Sequence, residues 1–364
     1  MNTNQLNDYF SKSIHKIISD VVTNTFSNPK ETVFLLKMLT YSKTAAKHRT
    51  HYEQEGKHIP AFLISSITHN CNLFCTGCYA RGNGNCHDDD TVTMLSAEEW
   101  LNIFNQAKDL GILFNLLAGG EPLMRYEIIE AASHVPEVIF PIFTNGTLID
   151  EKYIKLFNQN RNLFPIISIE GSEESTDARR GHGLYKKIQN VMTTLSTEKI
   201  LFGVSVTVTT ENLKEVTNKK FMESLQQLGC RAVLFIEYVP VDPGTQNLAF
   251  TERERLCLEC SQDQLRDEYP SILFLSFPGD ENKMGGCLAA GRGFFHINCY
   301  GDAEACPFSP YSDCNLQNHS LLEALDSPFF HRLQEHKLVG SEHIGGCTLF
   351  EKETQVKELL NKTS

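Results

Sequence analysis

From residue 61 to about residue 242, short apolar runs alternate with helix-period stretches, and this alternation leaves the chain few architectures to choose from. The runs Ala61–Ile67, Leu113–Leu117, Val138–Phe143, Phe164–Ile169, Gly203–Val208 and Val233–Val239 read as strands. Helical spacing of apolar residues appears between them, near Ala97–Leu110, Glu127–His134, Glu151–Asn158, Tyr185–Leu195 and Leu213–Leu228. A strand that returns to a parallel neighbour through a helix builds right-handed βαβ units and a parallel sheet. Six such units make an α/β fold, either an open doubly wound sheet or a partial (β/α)6 barrel. Periodicity does not decide between the two, but both present active groups at the C-terminal ends of the strands.

The flanks read differently. Residues 1–60 are expected to be a helical appendage: Phe10, Ile14, Ile17, Val21 and Val22 recur at helical spacing, and a second helix runs from Glu31 to about His51. Asn28-Pro29 separates the two. Near Val239 the alternation is read as stopping, PVDPG as a loop and Thr251–Leu265 as a helix. The remainder is rich in Gly, Cys and aromatics, with a hairpin-like GFFHINCYGDAEACPF, so residues 243–364 are assigned to a smaller second domain.

Composition narrows the chemistry. A net charge of −12 repels phosphate backbones and makes nucleic acid a poor principal partner. The N-terminus lacks a basic region followed by an apolar run, and no apolar stretch approaches the roughly 18 residues of a membrane span. The expected location is therefore the cytoplasm. In that reducing setting, 12 cysteines read as metal ligands or catalytic thiols rather than as a disulfide framework.

The sequence C-N-L-F-C-T-G-C, residues 71–78, follows directly on the first expected strand. Thiolates of Cys71, Cys75 and Cys78 can hold three irons of a cubane cluster and leave the fourth open to an exogenous ligand. The alternative is a zinc site completed by His69 or His87, although zinc sites usually draw on paired C-x2-C units. A second motif, Gly119-Gly120-Glu121-Pro122, follows the second strand; its glycines are expected to let a ligand approach the backbone, with Glu121 offering its carboxylate or the turn's carbonyls to an ammonium.

The spacing Cys71-x3-Cys75-x2-Cys78 resembles the signature of the radical S-adenosylmethionine (SAM) superfamily, and Gly119–Pro122 is similar to that family's GGEP. The resemblance implies a partial (β/α)6 barrel and a [4Fe–4S] cluster whose open iron chelates the SAM methionine. It further implies a 5′-deoxyadenosyl radical that abstracts hydrogen from substrate. GGEP then binds the SAM amino group. Asn145, Ser168 and Thr207, at later strand ends, contact the ribose or carboxylate, and Arg180 pairs with the carboxylate. The chain departs from the family in two places. Gly77 stands where an aromatic often precedes the third cysteine, altering the packing over the adenine, and Glu170 stands where relatives often have Asp.

The C-terminal part resembles the SPASM/Twitch extension. Cys287, Gly301 and Cys306 match its opening C-x9–15-G-x4-C, whereas its later cysteine array is absent and only Cys314 and Cys347 follow. The resemblance implies one auxiliary [4Fe–4S] cluster on Cys287, Cys306 and Cys347, with Cys314 a candidate fourth ligand. Cys257 and Cys260 lie in a helical stretch, Cys230 reads as core, and Cys299 is not taken as a ligand. Cys86 is either a substrate-facing thiol or part of a polar surface loop. Glu237 and Tyr238, ending the sixth strand, are expected to face the cavity and touch substrate.

The resulting expectation is a radical SAM enzyme fed by a reductant such as flavodoxin or ferredoxin. Its substrate is a small metabolite, cofactor precursor or lipid, since residues 1–60 show no strand pattern of a peptide-binding module. The alternatives are a peptide- or protein-modifying maturase and, in another class, a non-catalytic electron-transfer or structural metal protein.

Overall fold

The computed structural model describes residues 29–87, 92–340 and 347–362. The first expected helix, carrying Phe10 to Val22, lies outside them.

The expected strands form with boundaries shifted by a residue or two: β1 Phe62–Ser66, β2 Phe114–Ala118, β3 Phe140–Thr144, β4 Leu163–Ser168, β5 Gly203–Val208 and β6 Ala232–Glu237. All pair in parallel with their sequence neighbours. The alternation does not stop near Val239. The helix Glu252–Glu268 leads back to a seventh strand, β7 Leu273–Phe277, which pairs in parallel with β6. At the other edge, β8 His296–Ile297 adds in parallel to β1 and turns back as β9 Ala303–Glu304. The sheet order is β7-β6-β5-β4-β3-β2-β1-β8-β9, a curled half-barrel.

Register separates two faces. Leu63, Leu117, Ile142, Ile167, Val204 and Phe235 are buried against helices that contribute Trp100, Phe104, Phe157, Met192 and Met222. Each such side chain taken from water contributes about 1.5–3 kcal/mol, which makes this helical layer the principal stabilising surface. The opposite face carries Phe62, Ile64, Leu116, Phe143, Phe164, Ser168, Thr207 and Ile236, all only half-buried. That face is the concave interior.

Local chemistry sets the helices. Ala97–Leu110 begins with a capping box between Ser96 and Glu99 and ends at Gly111, whose φ of 86° is left-handed. The helix Pro29–Gln54 packs through Leu35, Met38 and Ala45 on Leu113 at the entry to β2, and its His48 meets the Asp109 carbonyl at 2.8 Å. The sheet curls far enough that Phe277 of β7 lies 5.7 Å from Phe294 and 6.3 Å from Phe308, in the segments flanking the β8–β9 hairpin. The hairpin is fastened to β1 by buried His296, which bonds Ser66 and Glu304 at 2.7 Å each.

Candidate functional site

The loop after β1 carries Cys71, Cys75 and Cys78, all half-buried. It is held by its surroundings rather than by a core of its own. Arg81 bonds the carbonyls of Cys71 and Leu73 and lies 3.8 Å over the ring of Phe74. The Thr76 amide donates to the Arg179 carbonyl at 2.9 Å, tying the loop to the end of the helix Glu173–Arg180. Burial pushes the Cys75 thiol up, and the neighbouring Cys71 and Cys78 add to that rise while Arg180 and Arg179 oppose it. Three thiols in mutual electrostatic reach, on one loop at the rim of a parallel sheet, suit a cluster in which each sulfur takes its own iron. Among the described residues no three His, Cys, Asp or Glu side chains converge as ligands of a single ion. His69 and His87, the zinc alternative, are stacked at 4.4 Å and both bond the Tyr300 hydroxyl at 2.9 Å.

Cys86 does not sit on an open loop. It is 4% exposed, its amide bonds the Ala80 carbonyl at 2.7 Å, and its thiol bonds that of Cys71. The contact holds Cys71 down to about 6 and pushes Cys86 up.

The glycines of Gly119–Pro122 are required by the chain itself. A Cβ on Gly119 would come within 2.4 Å of the Thr68 carbonyl oxygen, and one on Gly120 within 2.1 Å of that of Asn70. The turn therefore seats directly on the segment entering the cysteine loop, sealed by Gly120 N to Thr68 O at 2.8 Å and Glu121 N to Asn70 O at 2.7 Å. The glycines are thus required where the turn meets the chain entering the cysteine loop. The Glu121 carboxylate is 1% exposed and accepts from Thr144 Oγ1 at 2.6 Å, Asn145 N at 2.8 Å and Leu123 N at 3.0 Å. Burial raises its pKa to about 7, against the pull of these donors. The carboxylate is thus held by the end of β3 and by the turn's own Leu123 amide. Pro122 opens the short 3-10 turn that follows.

Asn145 extends the same fastening: its Nδ2 donates to Asn72 Oδ1 in the cysteine loop at 2.9 Å. Ser168 and Thr207 lie on the concave face, with Ser168 Oγ 3.2 Å from Ser205 Oγ. Arg180 is half-buried and already paired. Glu170, 1% exposed, binds Arg180 through Nε at 2.8 Å and Nη2 at 2.5 Å, Arg179 Nη1 at 2.5 Å and Thr207 N at 3.1 Å. Burial alone would lower the Arg180 pKa, but Glu170 and Cys75 outweigh it and raise it. A ligand carboxylate would share Arg180 with Glu170 rather than meet a free guanidinium.

Two strand-end expectations part company. Glu237 pairs in register with Val208, on the helical face, and turns to Arg255 at 3.4 Å in a cleft of about 150 Å³ beneath the helix Glu252–Glu268. It does not face the barrel interior, because strand side chains alternate and its neighbour takes that direction. That neighbour, Tyr238, reaches the cysteine loop. A Cβ on Gly77 would come within 2.5 Å of the Tyr238 hydroxyl, and Gly77 has a left-handed φ of 65°. An aromatic ring thus flanks the third cysteine after all, delivered from β6 instead of from within the loop.

The C-terminal cysteines also divide. Cys287 and Cys306 are buried and Cys347 half-buried. The Cys306 thiol bonds Cys347, which lowers Cys347; burial and that contact raise Cys306 well above the ordinary range. Burial raises Cys287, with Glu281 and Cys347 adding to the rise. Cys314 is half-buried: burial raises its thiol to about 11, and the charges acting on it are those of Asp313, Glu323 and Asp302. Sequence reasoning missed Glu281, a buried acid beside this trio that stands in no recognisable spacing. Tyr79, directly after the third cysteine as in relatives with this extension, has its ring 5.0 Å from that of Phe308 and feels both Cys78 and Cys306. Of the other thiols, Cys230 is buried and bonds the Ala232 carbonyl at 3.1 Å, and Cys257 and Cys260 are exposed.

Residues 65–227 match the family model described as Radical SAM superfamily. The chain is 28% identical over 181 residues to the Fe-coproporphyrin III synthase of Methanosarcina barkeri, covering 49% of this chain and 44% of that protein. It is 23% identical over 321 residues to the antilisterial bacteriocin subtilosin biosynthesis protein AlbA of Bacillus subtilis, covering 80% of this chain and 68% of that one. It thus spans less than half the length of the first relative and about two thirds of the second. In fold it resembles Streptococcus suis SuiB bound to S-adenosylmethionine, with a TM-score of 0.64 at 15% identity over 80% of this chain and 72% of that one.

Proposed function

We propose the following from the premise that this chain belongs to the radical SAM superfamily and carries a SPASM/Twitch-type C-terminal extension: it is an enzyme that cleaves SAM reductively and removes a hydrogen atom from a substrate held in the half-barrel. Cys71, Cys75 and Cys78 would hold the [4Fe–4S] cluster, and Cys287, Cys306 and Cys347 an auxiliary [4Fe–4S] cluster. When bound, the first cluster and SAM supply a 5′-deoxyadenosyl radical.

The observation that carries this reading is the convergence at one rim of the sheet. The cysteine loop, the Gly119–Pro122 turn and the ends of β3 and β4 are cross-bonded through Asn70, Asn72, Glu121, Asn145 and Arg179. The protein's own part is positioning. Main-chain carbonyls of the turn receive the SAM ammonium, Arg180 shares its charge between Glu170 and the SAM carboxylate, and Ser168 and Thr207 line the path of the ribose. The apolar concave face, with Phe62, Ile64, Leu116, Phe143 and Phe164, keeps water and solvent hydrogen from a reactive species.

That apolar lining favours a small metabolite, cofactor precursor or lipid as substrate. A second reading, modification of a peptide, is favoured by the similarity to AlbA across 80% of this chain, C-terminal part included. A low-potential donor such as flavodoxin or ferredoxin would supply the electron. No described helix is long and apolar enough to cross a membrane, and the oxygen-sensitive cofactors suit a cytoplasmic setting. In this division of labour, residues 61–242 would serve SAM chemistry and residues 243–364 the auxiliary cluster, with β7 extending the half-barrel.

The test is anaerobic incubation of the reconstituted chain with SAM and dithionite. Formation of 5′-deoxyadenosine supports the reading; a reduced protein with bound SAM and no cleavage overturns it in favour of an electron carrier. Deuterium transfer into 5′-deoxyadenosine from labelled apolar metabolites or from labelled peptides then separates the two substrate classes.

A further inference from the structure

The trio of Cys287, Cys306 and Cys347 offers three thiolates, and a cubane cluster has four irons to satisfy. The candidate fourth thiol, Cys314, feels the charges of Asp313, Glu323 and Asp302, and its carbonyl accepts the Ala303 amide of β9 at 2.9 Å. We infer that Glu281 supplies the fourth ligand, an oxygen, to the C-terminal iron–sulfur site. This rests on the auxiliary-cluster part of the reading above.

Glu281 sits in the 3-10 turn Gly279–Met284, just ahead of Cys287 in the chain. That turn folds back over Cys287: the Gly286 amide donates to the Glu281 carbonyl at 3.0 Å, and the Leu288 amide to Glu281 Oε1 at 3.2 Å. The carboxylate is therefore held against the main chain that presents the Cys287 thiol. It is 3% exposed, and the charges acting on it are those of Cys347, Arg292 and Glu237. Arg292 is the cation among these, but its guanidinium is directed to main-chain carbonyls, those of Cys287 at 2.6 Å, Gly286 at 3.0 Å and Met284 at 3.2 Å. Those same bonds brace the Cys287 turn.

A carboxylate enclosed with thiols and given one amide donor is costly unless something positive meets it. Iron does so, and accepts oxygen donors as well as sulfur. Coordination would also bind three separated segments of chain, 281–287, 306 and 347, to one centre. A carboxylate is a harder and more readily displaced ligand to a cluster iron than a thiolate. The Glu281 position is then the one at which a substrate heteroatom or an electron partner enters, while the three thiolates keep the cluster in place.

The experiment uses the full chain with Cys71, Cys75 and Cys78 changed to Ala, reconstituted anaerobically with ⁵⁷Fe and sulfide, so that the C-terminal site alone is read. Mössbauer spectra should show about one iron in four with the larger isomer shift of oxygen ligation. Adding Glu281→Cys should retain the iron and make all sites alike. Adding Glu281→Gln should reduce bound iron at least twofold or alter the distinct site, and adding Cys314→Ala should change nothing. An unaltered spectrum in Glu281→Cys, or a spectrum that changes with Cys314→Ala, overturns the assignment. So does a folded parent, by circular dichroism, that binds no iron; that result also removes the auxiliary cluster, while SAM cleavage by the unmodified chain still reports on the first site. If Glu281→Gln does not fold, Glu281→Cys decides.

Discussion

The molecule gathers thiols in two places and builds the two gatherings by opposite means. Cys71, Cys75 and Cys78 lie on one short loop, half-buried, with the fold outside them holding the loop through main-chain bonds such as Thr76 to Arg179. Cys287, Cys306 and Cys347 come from three distant segments, and the first two are 7% and 3% exposed, inside the same apolar core that holds Phe294 and Phe308. In the first place the thiols are passengers on the structure; in the second they are part of its interior. The difference teaches that a cysteine set can be functional without contributing to the apo fold, or can do both.

The largest separation should appear in activity. Replacing Cys71, Cys75 or Cys78 with Ala should reduce 5′-deoxyadenosine production at least about 1,000-fold, since each would hold an iron of the proposed cluster. The same changes should move the apo protein's stability by less than about 0.5 kcal/mol, whereas Cys287→Ala or Cys306→Ala should cost about 1–2 kcal/mol through lost packing. Urea melts of the apo variants measure this, and equal losses at both sites would erase the contrast.

Next comes the turn that seats the first loop. Glu121→Ala strands the Thr144 hydroxyl and the amides of Asn145 and Leu123. At roughly 1 kcal/mol or more for each buried donor left unpaired, about 3 kcal/mol of apo stability should be lost near pH 6, and SAM affinity should fall with it. Affinity lost with stability intact would instead put the carboxylate itself on the ligand's ammonium.

The same acid predicts a pH effect. The folded-state pKa of Glu121 is about 7, above the ordinary 4.5, so the folded state holds its proton more tightly than the unfolded one. The corresponding stability is complete below about pH 4.5 and is lost as pH rises through about 7, on the order of 3 kcal/mol in all. Melts of the apo protein across this range should show that decline, and Glu121→Gln should flatten it. A decline of the same size in the Gln variant would assign it to another group.

The smallest effect sharpens how the loop meets β6. Gly77→Ala should cost about 2 kcal/mol, part from the collision with Tyr238 and about 1 kcal/mol from the left-handed backbone. In a Tyr238→Ala background the collision part should disappear, leaving a coupling of about 1 kcal/mol in a double-mutant cycle. Additive losses would mean that the ring does not press on the loop.

Much of the barrel is legible in the sequence, since six strands and their helices follow from periodicity, and the cysteine loop and the Gly119–Pro122 turn stand at the strand ends where such a fold places chemistry. β7 was missed because a long loop and the helix Glu252–Glu268 separate it from β6, and a five-residue strand among turn residues carries little period of its own. Glu237 was placed on the wrong face. A strand end shows its alternation only once the register with Val208 is known, and one residue of shift reverses every side chain. The occupation of Glu121 and Arg180 by internal partners was invisible for a related reason: Thr144, Asn145 and Glu170 are near them only after the sheet has curled.

The sequence by itself determined what is local: strand and helix period, the spacing of three thiols within one loop, and the glycines that no other residue can replace where two turns touch. Tertiary structure decided what depends on distant segments meeting. It joined Cys287, Cys306 and Cys347, set Glu281 beside Cys287 and Tyr238 beside Gly77, and brought Phe277 against Phe294 and Phe308. The physical reason is that spacing along a chain constrains contacts only over a few residues. Which far segments meet is set by burial of the whole apolar surface, a property that no single stretch of sequence carries.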